Sequence, residues 1–261
     1  MDLRLKGKCA LVTGGTHGIG RSIALGLAEE GCKVAVCSRT AERVNKTVAE
    51  LKAAGADCIG IQADVAVEAD IKKVMKAVID KWKTIHILIN NVGGGGRWGK
   101  EIAEETGEEI WMEVYNKNAL AAIRFTNLAI PYMRKQKWGR VVTITSIFGR
   151  EGGARPWFAM AKTAQTALMK SLAMKGYLAK DGITFNSVGP GAIMIPDTGW
   201  EKALKDNPKE VEEFIKRELP LGRFGAPEEV ANLVVFLCSE KASFINGTSI
   251  PADGGQGRSL L

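Results

Sequence analysis

The sequence predicts a doubly wound α/β fold, a single domain with one parallel sheet and helices on both faces. Three observations carry this. Short apolar runs alternate with longer amphipathic stretches along the whole chain. The runs are continuously apolar, the pattern of strands buried on both faces rather than one. No internal repeat or linker divides the 261 residues, and one core can serve a chain of that length. Strand, helix, strand in succession then implies right-handed crossovers and parallel pairing.

The elements read in order. "CALVTG" is the first strand and "IGRSIALGLAEEG" the first helix, stopped at Gly31. "KVAVCSR" is a strand, followed by the helix "AERVNKTVAELKAAG", stopped at Gly55. "CIGIQAD" is a strand, then "EADIKKVMKAVIDKW" a helix, and "IHILINN" a strand. One long helix is expected through "IWMEVYNKNALAAIRFTNLAIPYMRKQ". "GRVVTITS" is the next strand, with a helix through "WFAMAKTAQTALMKSLAMKGYLA" after it. "GITFNSV" is a strand, "PEEVANLVVFLCS" a helix, and a short strand is expected near "TSIPADGG". The polar stretch 195–219 breaks the rhythm and reads as an excursion over the sheet, a candidate lid.

Composition narrows the function classes. The net charge is +7, but lysines and arginines are spread without a dense basic block, which argues against nucleic acid. Such a surface favours small anionic ligands. Five cysteines are scattered with no CxxC pair, so buried free thiols in a reducing, cytoplasmic setting are expected, with no disulfide framework and no metal site. "MDLRLKGK" lacks the apolar core of a signal peptide, and no apolar run is long enough to suggest a membrane span.

"TGGTHGIG" joins the first strand to the first helix. Glycines there let the backbone approach a pyrophosphate, and the helix N-terminus offers free N–H groups and a positive dipole end. A carboxylate at the end of the second strand would hold the ribose hydroxyls of NAD. This chain has Ser38 and Arg39 instead. A guanidinium suits a phosphate, and His17 could add a donor on the same side, so NADP(H) is expected over NAD(H).

With "NNVGG", "TSIFG" and an F-x-x-x-K, the chain resembles the short-chain dehydrogenase/reductase family from Gly7 to about Gly255. The glycine loop matches the family's TGxxxGxG, and Asn90–Gly93 matches its NNAG with Val92 for alanine. Asp64 looks like the adenine-binding aspartate, and "NSVGPG" like the segment before the nicotinamide. The stretch from "PLGRFGAPEEV" to "SIPADGG" resembles the family's C-terminal signature. The resemblance implies cofactor contacts from Gly14, Thr16, His17, Gly18, Ile19 and Gly20. It extends them to Ser38, Arg39, Asp64, Val65, Asn91, Gly93 and Lys162, with Pro190, Gly191 and Ile193 at the nicotinamide end. It also implies a small carbonyl or alcohol substrate, and a homotetramer or a dimer of the same kind. The subunit contact would lie on the helices through Asn118 and Lys162, where Ala161, Ala164, Leu168 and Leu172 supply apolar spacing.

The family's catalytic tetrad is Asn, Ser, Tyr and Lys. Asn118, Ser146 and Lys162 match three of them, and the tyrosine position holds Phe158. By the resemblance, the serine would polarise the substrate carbonyl. The lysine would hold the nicotinamide ribose and lower the phenol's pKa. The asparagine would hold a relay water. Tyr115, Tyr132 and Tyr177 are out of register and cannot replace the missing acid. Three explanations stay open: an engineered Tyr→Phe variant, a natural member with its acid elsewhere, and a natural member that binds cofactor without turnover. The reading is therefore an NADP(H)-dependent ketone/alcohol oxidoreductase, with a weakly catalytic or non-catalytic cofactor-binding protein of sensing or scaffold role as the alternative.

Two further expectations concern the pocket. Relatives often carry threonine five residues after the proline of "GPG"; here Ile195 stands there and Thr198 follows, which points to a different hold on the nicotinamide end or a shifted turn at the start of the lid. Arg97, Trp98, Arg150, Arg155 and Trp157 are expected to form an aromatic and cationic rim that would suit an acidic or carrier-bound keto substrate.

Overall fold

Within residues 1–260, which the computed structural model describes, seven apolar runs become strands. They are β1 (Cys9–Thr13), β2 (Lys33–Ser38), β3 (Cys58–Gln62), β4 (Ile87–Asn90), β5 (Gly139–Ile144), β6 (Ile183–Pro190) and β7 (Ser249–Ala252). All neighbours pair in parallel, in the order β3-β2-β1-β4-β5-β6-β7. Every residue of β1, β4, β5 and β6 is buried, which is why these runs read as continuously apolar. Each fully buried Val, Leu or Ile contributes roughly 1.5–3 kcal/mol.

The helices are α1 (Gly18–Glu29), α2 (Ala41–Ala53), α3 (Glu68–Trp82), α4 (Glu108–Tyr115), α5 (Ala121–Lys135), α6 (Pro156–Ala173), α7 (Gly176–Ala179), α8 (Gly199–Asp206), α9 (Pro208–Glu218) and α10 (Pro227–Leu237). On one face of the sheet, Ile23 and Leu27 of α1 and Val230 and Val234 of α10 share a core with Val12, Val36 and Ile89. On the other face, Val74 and Val78 of α3, Phe125 and Met133 of α5 and Met169 of α6 pack on Leu11, Leu88 and Phe185.

Two helix expectations are corrected. The long helix through Asn118 is not uniform: a π-helical turn, Asn116–Leu120, joins α4 to α5. Asn118 Nδ2 donates to Val114 O at 2.8 Å, so a side chain competes with the backbone ladder at that turn. The helix after Ser146 ends at Ala173 and restarts as the single turn α7, with Lys175 extended between them. All five cysteines are free and buried. Among the described residues, no helix is long and apolar enough to cross a membrane.

Candidate active site

The strand order reverses between β1 and β4, and this opens a crevice at the carboxyl ends of the sheet. Its lips are the turn after β1 and the segment after β4. Asn91 ties them together. Its Nδ2 donates to Thr13 O at 3.0 Å and to Gly14 O at 3.2 Å, and its backbone N–H donates to Thr13 Oγ1 at 3.0 Å. Gly14 and Gly18 sit at φ +63° and +49°, a region that favours glycine. At Gly20 a Cβ would collide with the Asn91 amide and the Gly14 carbonyl. Helix α1 starts with neither a side-chain cap nor an acid in its first turn, so its leading N–H groups are left for a ligand.

Two chambers share this crevice. The first, about 300 Å³, is lined by Gly14, Thr16, His17, Ser38, Arg39, Asp64, Val65, Asn91 and Gly93. The second, about 500 Å³, is lined by His17, Gly18, Ile19, Gly20, Asn91, Gly93, Ser146, Phe158, Lys162, Pro190, Gly191 and Ile193. The sequence-predicted residues thus meet around one crevice, apart from Asn118, which stands behind its wall. Two cations of the smaller chamber escaped the sequence reading. Arg43 follows Arg39 by four residues at the start of α2, and Lys117 precedes Asn118; both border the smaller chamber. Burial pulls Lys117 below the usual lysine value, and Arg39 nearby pushes it the same way.

Lys162, Asn118 and Ser146 are held from different elements. Lys162 is fully enclosed on α6, and burial lowers its pKa from 10.5 to about 7. Its Nζ donates to Ile144 O at 3.0 Å, which leaves two protons for a ligand. Ser146 Oγ accepts from the Phe148 N–H at 3.2 Å, so its own proton stays free. Asn118 is engaged on both sides of its amide: Nδ2 donates to Gly94 O at 2.9 Å, and Oδ1 accepts from the Gly94 N–H at 3.2 Å. Its backbone carbonyl accepts from Gln165 Nε2 at 3.0 Å and also from a backbone N–H at the start of α5. The Lys162 Nζ and Asn118 Oδ1 both crowd Gly93, where an added Cβ would lie 2.8 and 2.7 Å from them. Phe158 puts its ring centre 5.7 Å from Lys162 Nζ, and no hydroxyl accompanies it.

A third chamber of about 450 Å³ adjoins Ser146 and Phe158 and is lined by Phe148, Trp200, Phe214 and Gln256 among others. Trp200 and Phe214 come from α8 and α9 within 195–219, and with Phe224 they form a ring cluster at 4.7–6.2 Å. Gln256 carries no periodic signal in the sequence, whereas Phe214 stands with Val211 and Ile215 at helical spacing on α9. The segment after Gly191 contains a turn in which Thr198 Oγ1 donates to Ile195 O at 2.6 Å and Asp197 is left-handed at φ +56°.

The expected rim is corrected in most of its members. Trp157 is fully buried, and its Nε1 donates to Gly95 O at 3.3 Å. The Arg150 guanidinium bonds the Ser249 carbonyl at the sheet edge. Arg155 lines the third chamber, but it donates to the carbonyls of Arg97, Trp98 and Gly99 at 3.1, 2.7 and 2.8 Å and pairs with Glu101. Trp98 stacks under Lys117 Nζ at 4.5 Å instead of lining the chamber. Arg97 alone keeps the expected place with its charge unpaired. On α6, Ala161, Leu168 and Leu172 pack within the chain.

A family model described as Enoyl-(Acyl carrier protein) reductase matches residues 14–256. The chain belongs to the short-chain dehydrogenase/reductase family. It is 37% identical over 250 residues to the 3-oxoacyl-(acyl-carrier-protein) reductase FabG of Staphylococcus aureus, covering 95% of this chain and 97% of that one. Among solved structures it resembles the L-sorbose reductase of Gluconobacter frateurii complexed with NADPH and L-sorbose, with a TM-score of 0.92 and 30% identity over the whole of both chains. It also resembles a 7α-hydroxysteroid dehydrogenase complexed with NADH and 7-oxo glycochenodeoxycholic acid, with a TM-score of 0.88 and 29% identity over 100% of this chain and 98% of that one. These short-chain dehydrogenase/reductase relatives are oxidoreductases, and this chain shares their single Rossmann-type domain.

Proposed function

We propose that the chain is an NADP(H)-dependent oxidoreductase that interconverts a ketone and a secondary alcohol, and that it does so with the family's proton donor missing at Phe158. The observation that carries this reading is Lys162: a fully buried lysine facing the crevice, beside Ser146 and the glycine loop. An unpaired buried ammonium is costly, and structure alone gives no reason to keep it.

The crevice fits a nicotinamide dinucleotide. The glycine turn leaves no room for side chains, and α1 offers free N–H groups to a pyrophosphate. Arg39, Arg43 and Lys117 surround the smaller chamber, which suits the added 2′-phosphate of NADP. The NADPH complex of the sorbose reductase agrees, and the NADH complex of the steroid dehydrogenase is the counterexample that makes preference a matter for measurement. When bound, a reduced nicotinamide supplies a hydride to the substrate carbonyl carbon.

The chain's own residues do the rest. Ser146 donates its free proton to the carbonyl oxygen and orients it. Lys162 holds the ribose hydroxyls with the protons that Ile144 leaves free. Asn118 fixes Gly94 against α4 through its side-chain amide, so it positions the wall behind Lys162. No phenol protonates the developing alkoxide, so turnover is slow. The general-acid contribution is about 10²–10⁴-fold.

Phe158 itself favours a second reading, a cofactor-binding protein without turnover. NADPH-dependent reduction of a ketone panel by this chain and by Phe158→Tyr separates the two. The oxidoreductase reading predicts that Phe158→Tyr raises kcat at least ~10²-fold with cofactor Kd nearly unchanged, because only the transition state needs the proton. If neither protein reduces any ketone while both bind NADPH, the second reading holds. Brisk turnover with Phe158 in place, unimproved by tyrosine, would place the acid elsewhere.

A further inference from the structure

The chamber beside Ser146 has an unusual charge balance. Rings of Phe148, Phe158, Trp200 and Phe214 supply its apolar walls, and no carboxylate lines it. Two cations do. The Arg155 guanidinium is engaged by three backbone carbonyls and Glu101, so it holds the loop and offers little to a ligand. Arg97 differs. Among the described residues no carboxylate pairs with it, and it borders both the 500 Å³ chamber with Lys162 and the 450 Å³ chamber with the rings. Its position is fixed without an acid. The guanidinium carbon lies 5.2 Å from the Trp200 ring centre, and Nη1 packs so closely on Gly199 that a Cβ there would collide with it. A guanidinium stacked on an aromatic ring keeps its in-plane N–H donors for a planar acceptor.

We propose that this site takes ketones with an apolar body and a carboxylate, and that Arg97 pairs with that carboxylate. The inference rests on the oxidoreductase reading for the identity of the reacting group, but the recognition itself is a binding event that can be measured without turnover. The ring-lined chamber holds the body, Ser146 holds the carbonyl, and Arg97, at the junction of both chambers, holds the anion. As the carboxylate arrives, Trp200 stays stacked on Arg97, so binding also ties α8 to the loop after β4.

The test uses the full chain saturated with NADPH, and in parallel the cofactor-free chain. The ligands are benzoylformate, 3-benzoylpropanoate and 4-benzoylbutanoate, each compared with its primary amide by calorimetry. The three acids vary the distance from carbonyl to carboxylate, and each amide keeps shape while removing charge. At least one acid should bind about 10-fold more tightly than its amide, the size of a charge-assisted pair. Arg97→Gln should erase that difference and leave amide and NADPH binding unchanged. Arg97→Lys should keep part of it, which also guards against a folding artefact. Equal affinities for acid and amide in every pair would overturn the proposal, as would an acid preference that survives Arg97→Gln. A large loss of NADPH affinity in Arg97→Gln would assign the guanidinium to the cofactor's diphosphate instead. If NADPH fails to bind at all, the oxidoreductase reading falls by itself, and the acid-amide comparison on the cofactor-free chain still decides the role of Arg97.

Discussion

The side of the crevice proposed for the cofactor is bounded by strand ends, a glycine turn and a helix N-terminus, and its fixed points are backbone atoms and buried groups. The side proposed for the substrate is bounded by α8, α9 and the loops after β4 and β5, and its fixed points are exposed or half-buried side chains. Asn91 locks the first half through bonds to Thr13 and Gly14. Ring contacts among Trp200, Phe214 and Phe224 hold α8 and α9 together over the second. The difference teaches where specificity resides. Close backbone approach leaves little freedom for substitution, so the first half states its ligand class. Side-chain walls can be exchanged without touching the sheet, so the second half states its ligand only through particular residues such as Arg97.

The largest expected effect breaks the first half at Lys162. Burial lowers its pKa from 10.5 to about 7. Between these values the unfolded chain binds the extra proton, so this group makes cofactor-free stability rise with pH across that window and penalises the fold fully below about 7. Lys162→Met should therefore stabilise the cofactor-free protein near pH 6, by on the order of 3 kcal/mol. The gain should fade as the pH approaches 10.5. Chemical denaturation at several pH values measures this, and the same variant should bind NADPH poorly. A destabilised Lys162→Met at every pH would mean that the ammonium is paired and welcome.

Arg39→Asp sharpens the comparison without disturbing the core. It should shift the ratio of NADH to NADPH affinity by about 10²-fold toward NADH, since a carboxylate repels the 2′-phosphate and accepts from ribose hydroxyls. Fluorescence titration with both cofactors reads the shift, and an unchanged ratio would remove Arg39 from the phosphate site. The smallest effect belongs to the other half. Trp200→Ala should raise the KM for an active ketone about 10-fold, as expected for a lost aromatic wall, with NADPH affinity intact. A parallel loss of NADPH affinity would show that the two halves are not separable.

The same contrast explains what could be read from the sequence. Strand runs and the glycine loop were legible because burial on both faces and backbone approach to a ligand each restrict residue type at fixed spacing. Helix α3 begins at Glu68 and ends at Trp82, as the periodicity predicts. The π-helical turn at Asn118 was not legible, since it depends on one side chain bonding a carbonyl four residues back and a glycine from another loop. The rim failed for a related reason. Arg150 and Arg155 bond carbonyls brought near by the fold, and Trp157 turns inward to Gly95, none of which periodicity encodes. Arg43 in the first turn of α2 and Lys117 in the π-helical turn were missed because isolated helical cations look like solvated charges until a chamber closes around them.

The central claim is that this chain retains a working NADP(H) crevice although its tyrosine position is phenylalanine. Titration of the purified chain with NADPH and with NADH, followed by cofactor fluorescence, tests it most directly. The account predicts saturable binding of NADPH, at least ~10-fold tighter than NADH. Absence of saturable binding, or NADH binding as tightly as NADPH, would contradict it.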